Sequence, residues 1–198
     1  MNEIFTYRLD GNLYVNLTNK CSNACTFCIR NNGTGVGDGD DLWLSREPSA
    51  EEVIARIKAE KRDFKSLVFC GYGEPTYRVD AIAEIGKWAR SEGIKTRLTT
   101  TGLGNLINGR DIVPELKGAL DTISVSLNAD NEDDYDKLCR SKFGKAAFNA
   151  MLDFTAECVK AGIDTVLSIV AIDGVDLEKC NLVAKKVGAK LRVREYIP

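Results

Sequence analysis

The sequence contains no histidine. That absence removes the commonest general base near neutral pH, the commonest nitrogen ligand of zinc, and every serine or cysteine nucleophile that depends on an imidazole. A long hydrophobic run is also missing. No stretch approaches the about 20 apolar residues needed to span a membrane, and the N-terminal MNEIFTYRLDG has no apolar core behind a basic start. Nor is charge of one sign in excess: 27 Lys and Arg stand against 29 Asp and Glu, a formal net charge of −2, so neither nucleic acid nor an anionic membrane finds support as a partner. These absences describe a cytoplasmic protein, and 198 residues fit one domain, 1–198, with a well-buried core.

What the sequence does have is cysteine, seven of them. The number is odd and the chain is too large to need a disulfide framework, which points to reduced thiols that bind metal or pack in the core. Cys21, Cys25 and Cys28 fall together in NLTNKCSNACTFCIRNNG (16–33), in the spacing C-x3-C-x2-C.

Short β-branched segments alternate with amphipathic ones to the end of the chain. The strands expected are LYVNL (13–17), SLVFC (66–70), KTRLTT (95–100), TISVSLN (122–128), TVLSIV (165–170) and KLRVREY (190–196). Helical patterns lie between them at 48–61, 78–93, 110–118, 145–162 and 177–188, with Ser49 ahead of a Glu pair and Gly93, Gly162 and Gly188 at the stops. Strand then helix, repeated, implies a parallel α/β sheet. Parallel strands covered on both faces read as continuous apolar runs, yet these alternate. Asn16, Arg97, Thr99, Ser124, Ser126, Asn128, Ser168, Arg192 and Arg194 share one parity; Val15, Leu17, Leu67, Phe69, Leu98, Ile123, Val125, Leu127, Leu191 and Val193 share the other. Either one face is solvated, or the sheet curls into an incompletely closed barrel around a polar ligand.

The three thiols follow the first of these strands, at the carboxyl edge where α/β folds bind ligands. Three readings compete. A structural zinc site wants four ligands, and without histidine the fourth must be a distant cysteine or a carboxylate. Three unrelated core cysteines fit poorly in the polar setting NKCSNAC. An iron–sulfur cluster on three thiolates leaves one iron open to an outside ligand.

C-x3-C-x2-C after the first strand, with aromatic Phe27 before the last cysteine, resembles the signature of radical S-adenosylmethionine (radical SAM) enzymes. The resemblance implies that Cys21, Cys25 and Cys28 hold a 4Fe-4S cluster, that the methionine end of S-adenosylmethionine chelates the fourth iron, and that reductive cleavage yields a 5′-deoxyadenosyl radical. CGYGEPTY (70–77) is similar to the family's Gly-Gly-Glu-Pro segment, which makes Gly71, Gly73 and Glu74 candidate contacts of the methionine amine, Glu74 through its charge. Ser126 and Asn128 resemble ribose contacts, and TTTG (99–102) resembles the family's Thr-Asn-Gly turn through Thr101. Phe27 and the backbone near Val170 and Ile172 are candidate adenine partners. The implied fold is a partial (β/α)6 barrel of mostly parallel strands, the radical SAM core. The short chain with LWLSREPSAEEV, VSLNADN and RVREY most resembles radical SAM proteins associated with TatD-type hydrolases, and a flavodoxin or ferredoxin is the implied reductant.

Among the remaining residues, Cys158 and Cys180 lie in apolar helical patterns as packed thiols, whereas Cys70 and Cys139 are placed to reach the lumen and donate a hydrogen atom. The glycine run at 31–41 lacks the ending of a phosphate loop and reads as a flap over substrate. Arg30, Arg140, Arg192 and Arg194 are candidate anion clamps, Arg194 foremost because it ends the last strand. The acidic DNEDDYDK (130–137) reads as a solvated helix face. The function expected is hydrogen abstraction from an anionic small-molecule or nucleobase-like substrate. The alternatives are an activase that makes a glycyl radical on a partner protein and, from another class, a non-catalytic iron–sulfur electron-transfer or zinc-binding module.

Overall fold

The structure, a computed structural model, describes residues 3–31, 35–36, 41–171 and 174–195. A hairpin opens the chain: Thr6–Leu9 (β1) pairs antiparallel with Asn12–Val15 (β2), Leu9 opposite Asn12. The two loop residues, Asp10 and Gly11, both have positive φ, 50° and 74°, as in the type I′ turn whose twist matches the strands it joins. Every later pairing is parallel, through Leu67–Phe69 (β3), Thr96–Thr100 (β4), Thr122–Ser126 (β5), Asp164–Ala171 (β6) and Lys190–Glu195 (β7), and the sheet order follows the chain. β1 and β7 are the edges of this seven-stranded sheet, so the barrel is partial, as expected. The antiparallel β1 is an addition to the six strands expected.

The helices are Ala50–Ala59 (α1), Val79–Ser91 (α2), Gly104–Asn108 (α3), Val113–Ala119 (α4), Glu132–Cys139 (α5), Ala146–Lys160 (α6) and Leu177–Lys186 (α7). Ser49 caps α1 in a reciprocal box with Glu52, which satisfies two N–H groups the helix leaves open. Gly93, Gly162 and Gly188 follow α2, α6 and α7 at φ 71°, 81° and 75°. Among the described residues no helix is long and apolar enough to cross a membrane.

Strand register confirms the two faces. Val15, Phe69, Leu98 and Ile123 stand side by side, all buried, and Val125 and Leu167 do so one step further on. They pack with Ile82 and Ile85 of α2 and Met151 and Phe154 of α6 in one continuous core; each such side chain stabilises the fold by about 1.5–3 kcal/mol. Val193 departs from its parity group and is 48% exposed, because it lies on the edge strand β7, which has a neighbouring strand on one side only. The other face carries Tyr14, Val68, Arg97 and Thr122 in one row, then Thr99, Ser124, Val166 and Lys190, then Ser126, Ser168 and Arg192, and last Val170 with Arg194.

Candidate functional site

The cysteine loop leaves β2 through Asn16, whose fully buried amide donates to the Leu42 carbonyl at 2.7 Å and the Ile4 carbonyl at 3.2 Å. The Thr18 hydroxyl donates to Glu47 at 2.7 Å. Beyond Cys21 the loop is laid along the end of α5 by main-chain bonds: Ala24 N–H donates to the Cys139 carbonyl at 3.0 Å, Thr26 N–H to the Leu138 carbonyl at 2.9 Å, and Lys142 N–H to the Ser22 carbonyl at 2.8 Å. The first two satisfy carbonyls that the helix end leaves without partners. After Cys28 a single 3-10 turn, Ile29–Asn31, brings the Arg30 guanidinium over the Trp43 ring at 5.8 Å.

Gly71 and Gly73 hold the second segment against this loop. A Cβ on Gly73 would stand 2.2 Å from the Thr18 carbonyl oxygen and 2.7 Å from that of Lys20, and one on Gly71 would stand 2.2 Å from Asn16 Oδ1. Only glycine permits that approach. The Glu74 N–H donates to the Lys20 carbonyl at 2.8 Å. The Glu74 side chain, 2% exposed, accepts from the Thr76 N–H at 3.1 Å, the Thr76 hydroxyl at 2.7 Å, the Thr100 hydroxyl at 2.6 Å and the Thr101 N–H at 2.6 Å. The Glu74 carboxylate thus accepts from donors of the chain itself and ties the turn to the end of β4.

The three cysteines share one loop, half-buried, but each thiol has its own partner. Cys21 Sγ accepts from the Asn23 N–H and Cys28 Sγ from Arg30 Nε, both at 3.4 Å, while the Cys25 thiol is hydrogen-bonded to that of Cys139. Among the described residues no three His, Cys, Asp or Glu side chains converge as a metal-binding group. Burial, with the nearby Glu74 charge, pushes the Cys21 thiol up to about 11. The bond to Cys139 and then burial raise Cys25; that bond lowers Cys139, aided by the Asn128 amide and the Tyr135 hydroxyl and opposed by burial.

A metal seated here would meet three soft sulfur donors and no nitrogen, a set that suits iron–sulfur chemistry. Assembly would turn the thiols from their separate partners. On the same rim the buried Thr101 Oγ1 and Asn128 Oδ1 have no hydrogen-bond partner among the described residues, so the rim offers polar atoms to a ligand rich in hydroxyl and amine groups. The donor set and these unpartnered atoms fit a 4Fe-4S cluster with S-adenosylmethionine.

Gly71, Gly73, Glu74, Thr101, Ser126 and Asn128 all lie on the carboxyl side of β3, β4 and β5, the side from which the cysteine loop leaves β2, and Phe27 is half-buried within that loop. Asn128 takes φ 61° and donates to Cys139 Sγ at 3.5 Å. Ile172 lies outside the described residues, as does most of the 31–41 flap; its Val36 is buried with Tyr7, Leu42 and Tyr72. Of the four candidate arginines, Arg140 and Arg192 are exposed and Arg30 turns to Trp43, whereas Arg194 reaches the concave face. Cys158 and Cys180 are fully buried, as expected of packed thiols. Sequence reasoning placed Arg97 on the polar face but gave it no role, and it passed over Tyr135, whose position four residues before Cys139 on one helix face was the available signal.

The Radical SAM superfamily pattern matches residues 15–187. The chain is 30% identical over 193 residues to GTP 3′,8-cyclase of Paenarthrobacter nicotinovorans, covering 93% of this chain and 50% of that one. It is 29% identical to the probable GTP 3′,8-cyclase of Methanocaldococcus jannaschii, covering 94% and 59%. The chain thus spans little more than half the length of these relatives. Its fold resembles that of Streptococcus suis SuiB bound to S-adenosylmethionine, with a TM-score of 0.69 at 16% identity over 90% of this chain and 39% of that one.

Proposed function

The chain belongs to the Radical SAM superfamily, and from that premise we propose that it is an enzyme that cleaves S-adenosylmethionine reductively and takes a hydrogen atom from a small anionic substrate held on the concave face of the sheet. Members of the superfamily bind a 4Fe-4S cluster and S-adenosylmethionine. Cys21, Cys25 and Cys28 would hold the cluster, which supplies the electron that breaks the sulfonium carbon–sulfur bond.

The chain's own residues do the rest. Gly71 and Gly73 keep the 70–74 turn against the cysteine loop, and Thr101, Ser126 and Asn128 offer polar atoms to the bound S-adenosylmethionine. The concave face orients the substrate, and the apolar cluster of Tyr7, Val36, Leu42 and Tyr72 limits the access of water. One observation carries the reading. The buried side-chain polar atoms without a partner among the described residues are Asn16 Oδ1, Arg97 Nε, Thr101 Oγ1, Asn128 Oδ1 and Arg194 Nε, and all belong to the concave face or its carboxyl rim. Groups buried in this way are costly unless something bonds to them.

The two arginines support an anionic substrate, and the relatives named for their action on GTP support a small molecule. The reading includes a low-potential flavodoxin or ferredoxin as reductant and a cytoplasmic setting. It is tested anaerobically: protein reconstituted with iron and sulfide is given dithionite and S-adenosylmethionine, and 5′-deoxyadenosine is sought by mass spectrometry. The wild type is expected to form it and Cys25→Ala to form none. A protein that takes up zinc but no cluster would sink the reading.

A further inference from the structure

Among the described residues, the concave face carries cations without counter-ions. Arg97 stands beside Val68 and Thr122 in the lowest row, and its Nη2 donates to the Tyr14 hydroxyl at 3.3 Å. Arg194 is three strands away in sheet order, yet its guanidinium lies in the electrostatic field of Cys70, Arg192, Tyr14 and Arg97. Strand tilt accounts for this, since in a curled sheet a late residue of the last strand comes to face early residues of the first ones. Burial is the largest of the influences on Arg194 and lowers its pKa, and Arg192 and Arg97 push the same way. An arginine nevertheless stays protonated.

Neither Arg97 nor Arg194 forms an ion pair among the described residues, and the Nε of each is buried without a partner. Glu74, the carboxylate whose charge reaches Cys70 in the same space, is already engaged by four donors. The Cys70 thiol is raised by burial and brings no compensating charge. Two guanidiniums in one half-buried space repel each other unless an anion joins them.

We propose that Arg97 and Arg194, with Tyr14 orienting Arg97, form a binding site for a phosphate group of the substrate. The inference rests on the function proposed above and deepens it. A carboxylate would neutralise one guanidinium, whereas a phosphate ester carries up to two negative charges and accepts hydrogen bonds from several directions, which suits two forks approaching from different strands. Arg192, on the same strand face and exposed, extends the site toward solvent for a further phosphate.

The test uses the reconstituted, cluster-loaded protein and inorganic pyrophosphate as probe, with malonate for comparison, by calorimetric titration. Wild type is expected to bind pyrophosphate at least tenfold more tightly than malonate. Arg97→Gln and Arg194→Gln are each expected to weaken pyrophosphate at least tenfold, Arg194→Lys less, with S-adenosylmethionine affinity retained in all three. Thermal melts verify that the variants are folded. No pyrophosphate binding to wild type, equal binding by wild type and both Gln variants, or a preference for malonate each overturns the proposal. So does loss of S-adenosylmethionine affinity with pyrophosphate binding intact, which would assign the arginines to the methionine carboxylate. Formation of 5′-deoxyadenosine is followed in the same samples: product without the expected anion binding refutes the phosphate site alone, and anion binding without product refutes the cleavage reading alone.

Discussion

Phe69 and Cys70 are neighbours in the chain and face opposite ways. Phe69 is fully buried against the helices. Cys70 lies on the concave side, its thiol in the field of Arg194 and Arg97. One step along the backbone thus separates a surface whose groups satisfy one another from a surface that gathers the buried unpartnered polar atoms of the described residues. Stability resides in the first, and the function proposed above places recognition in the second, so substitutions on the two faces should separate the two properties.

The largest effect is expected on the covered face. Phe69→Ala should cost about 3–5 kcal/mol through lost burial and a cavity, read as a lowered urea midpoint. Second comes the contact of the glycine turn with the cysteine loop: Gly73→Ala drives a Cβ into the Thr18 and Lys20 carbonyls, and the shift should cost about 1–3 kcal/mol and reduce iron and sulfide uptake, measured by metal analysis after reconstitution. Unchanged uptake would break the link drawn between the glycine turn and the cysteine loop. On the concave face Arg194→Leu should leave stability unchanged or raise it by up to about 1 kcal/mol, because it removes a buried charge that lacks a partner; a marked loss would mean that the guanidinium is structural after all.

The smallest effect concerns pH. Burial pushes the Cys158 thiol up to about 12, above the unfolded value of about 8.5. The folded state therefore holds the proton more tightly, and its stabilising contribution is complete below about pH 8.5 and lost as pH rises toward 12. Urea unfolding at neutral pH and at about pH 10 should show this decline, and Cys158→Val should reduce it.

Much of this contrast was legible in the sequence, because period-2 alternation reports which side chains share a face, as it did for Arg97, Thr99, Ser124, Ser126 and Ser168. The strand–helix order and the cysteine spacing are local patterns of the same kind. β1 escaped because TYRL is four residues long and only half apolar, although Asp10-Gly11 is a strong hairpin signal. The occupation of Glu74 was not legible, since its partners Thr100 and Thr101 are 26 and 27 residues away. Nor was the approach of Arg194 to Arg97, which depends on the tilt and curl of the whole sheet. Sequence pattern reports the direction of a side chain; its company is set by tertiary geometry.

The cysteine loop is fixed to α5 through the main-chain N–H groups of Ala24 and Thr26, and both side chains point into solvent. The loop's shape is thus independent of what those two positions carry. They can be altered without disturbing the thiols on either side, so the outer surface of the loop can vary while its interior keeps its three sulfur donors.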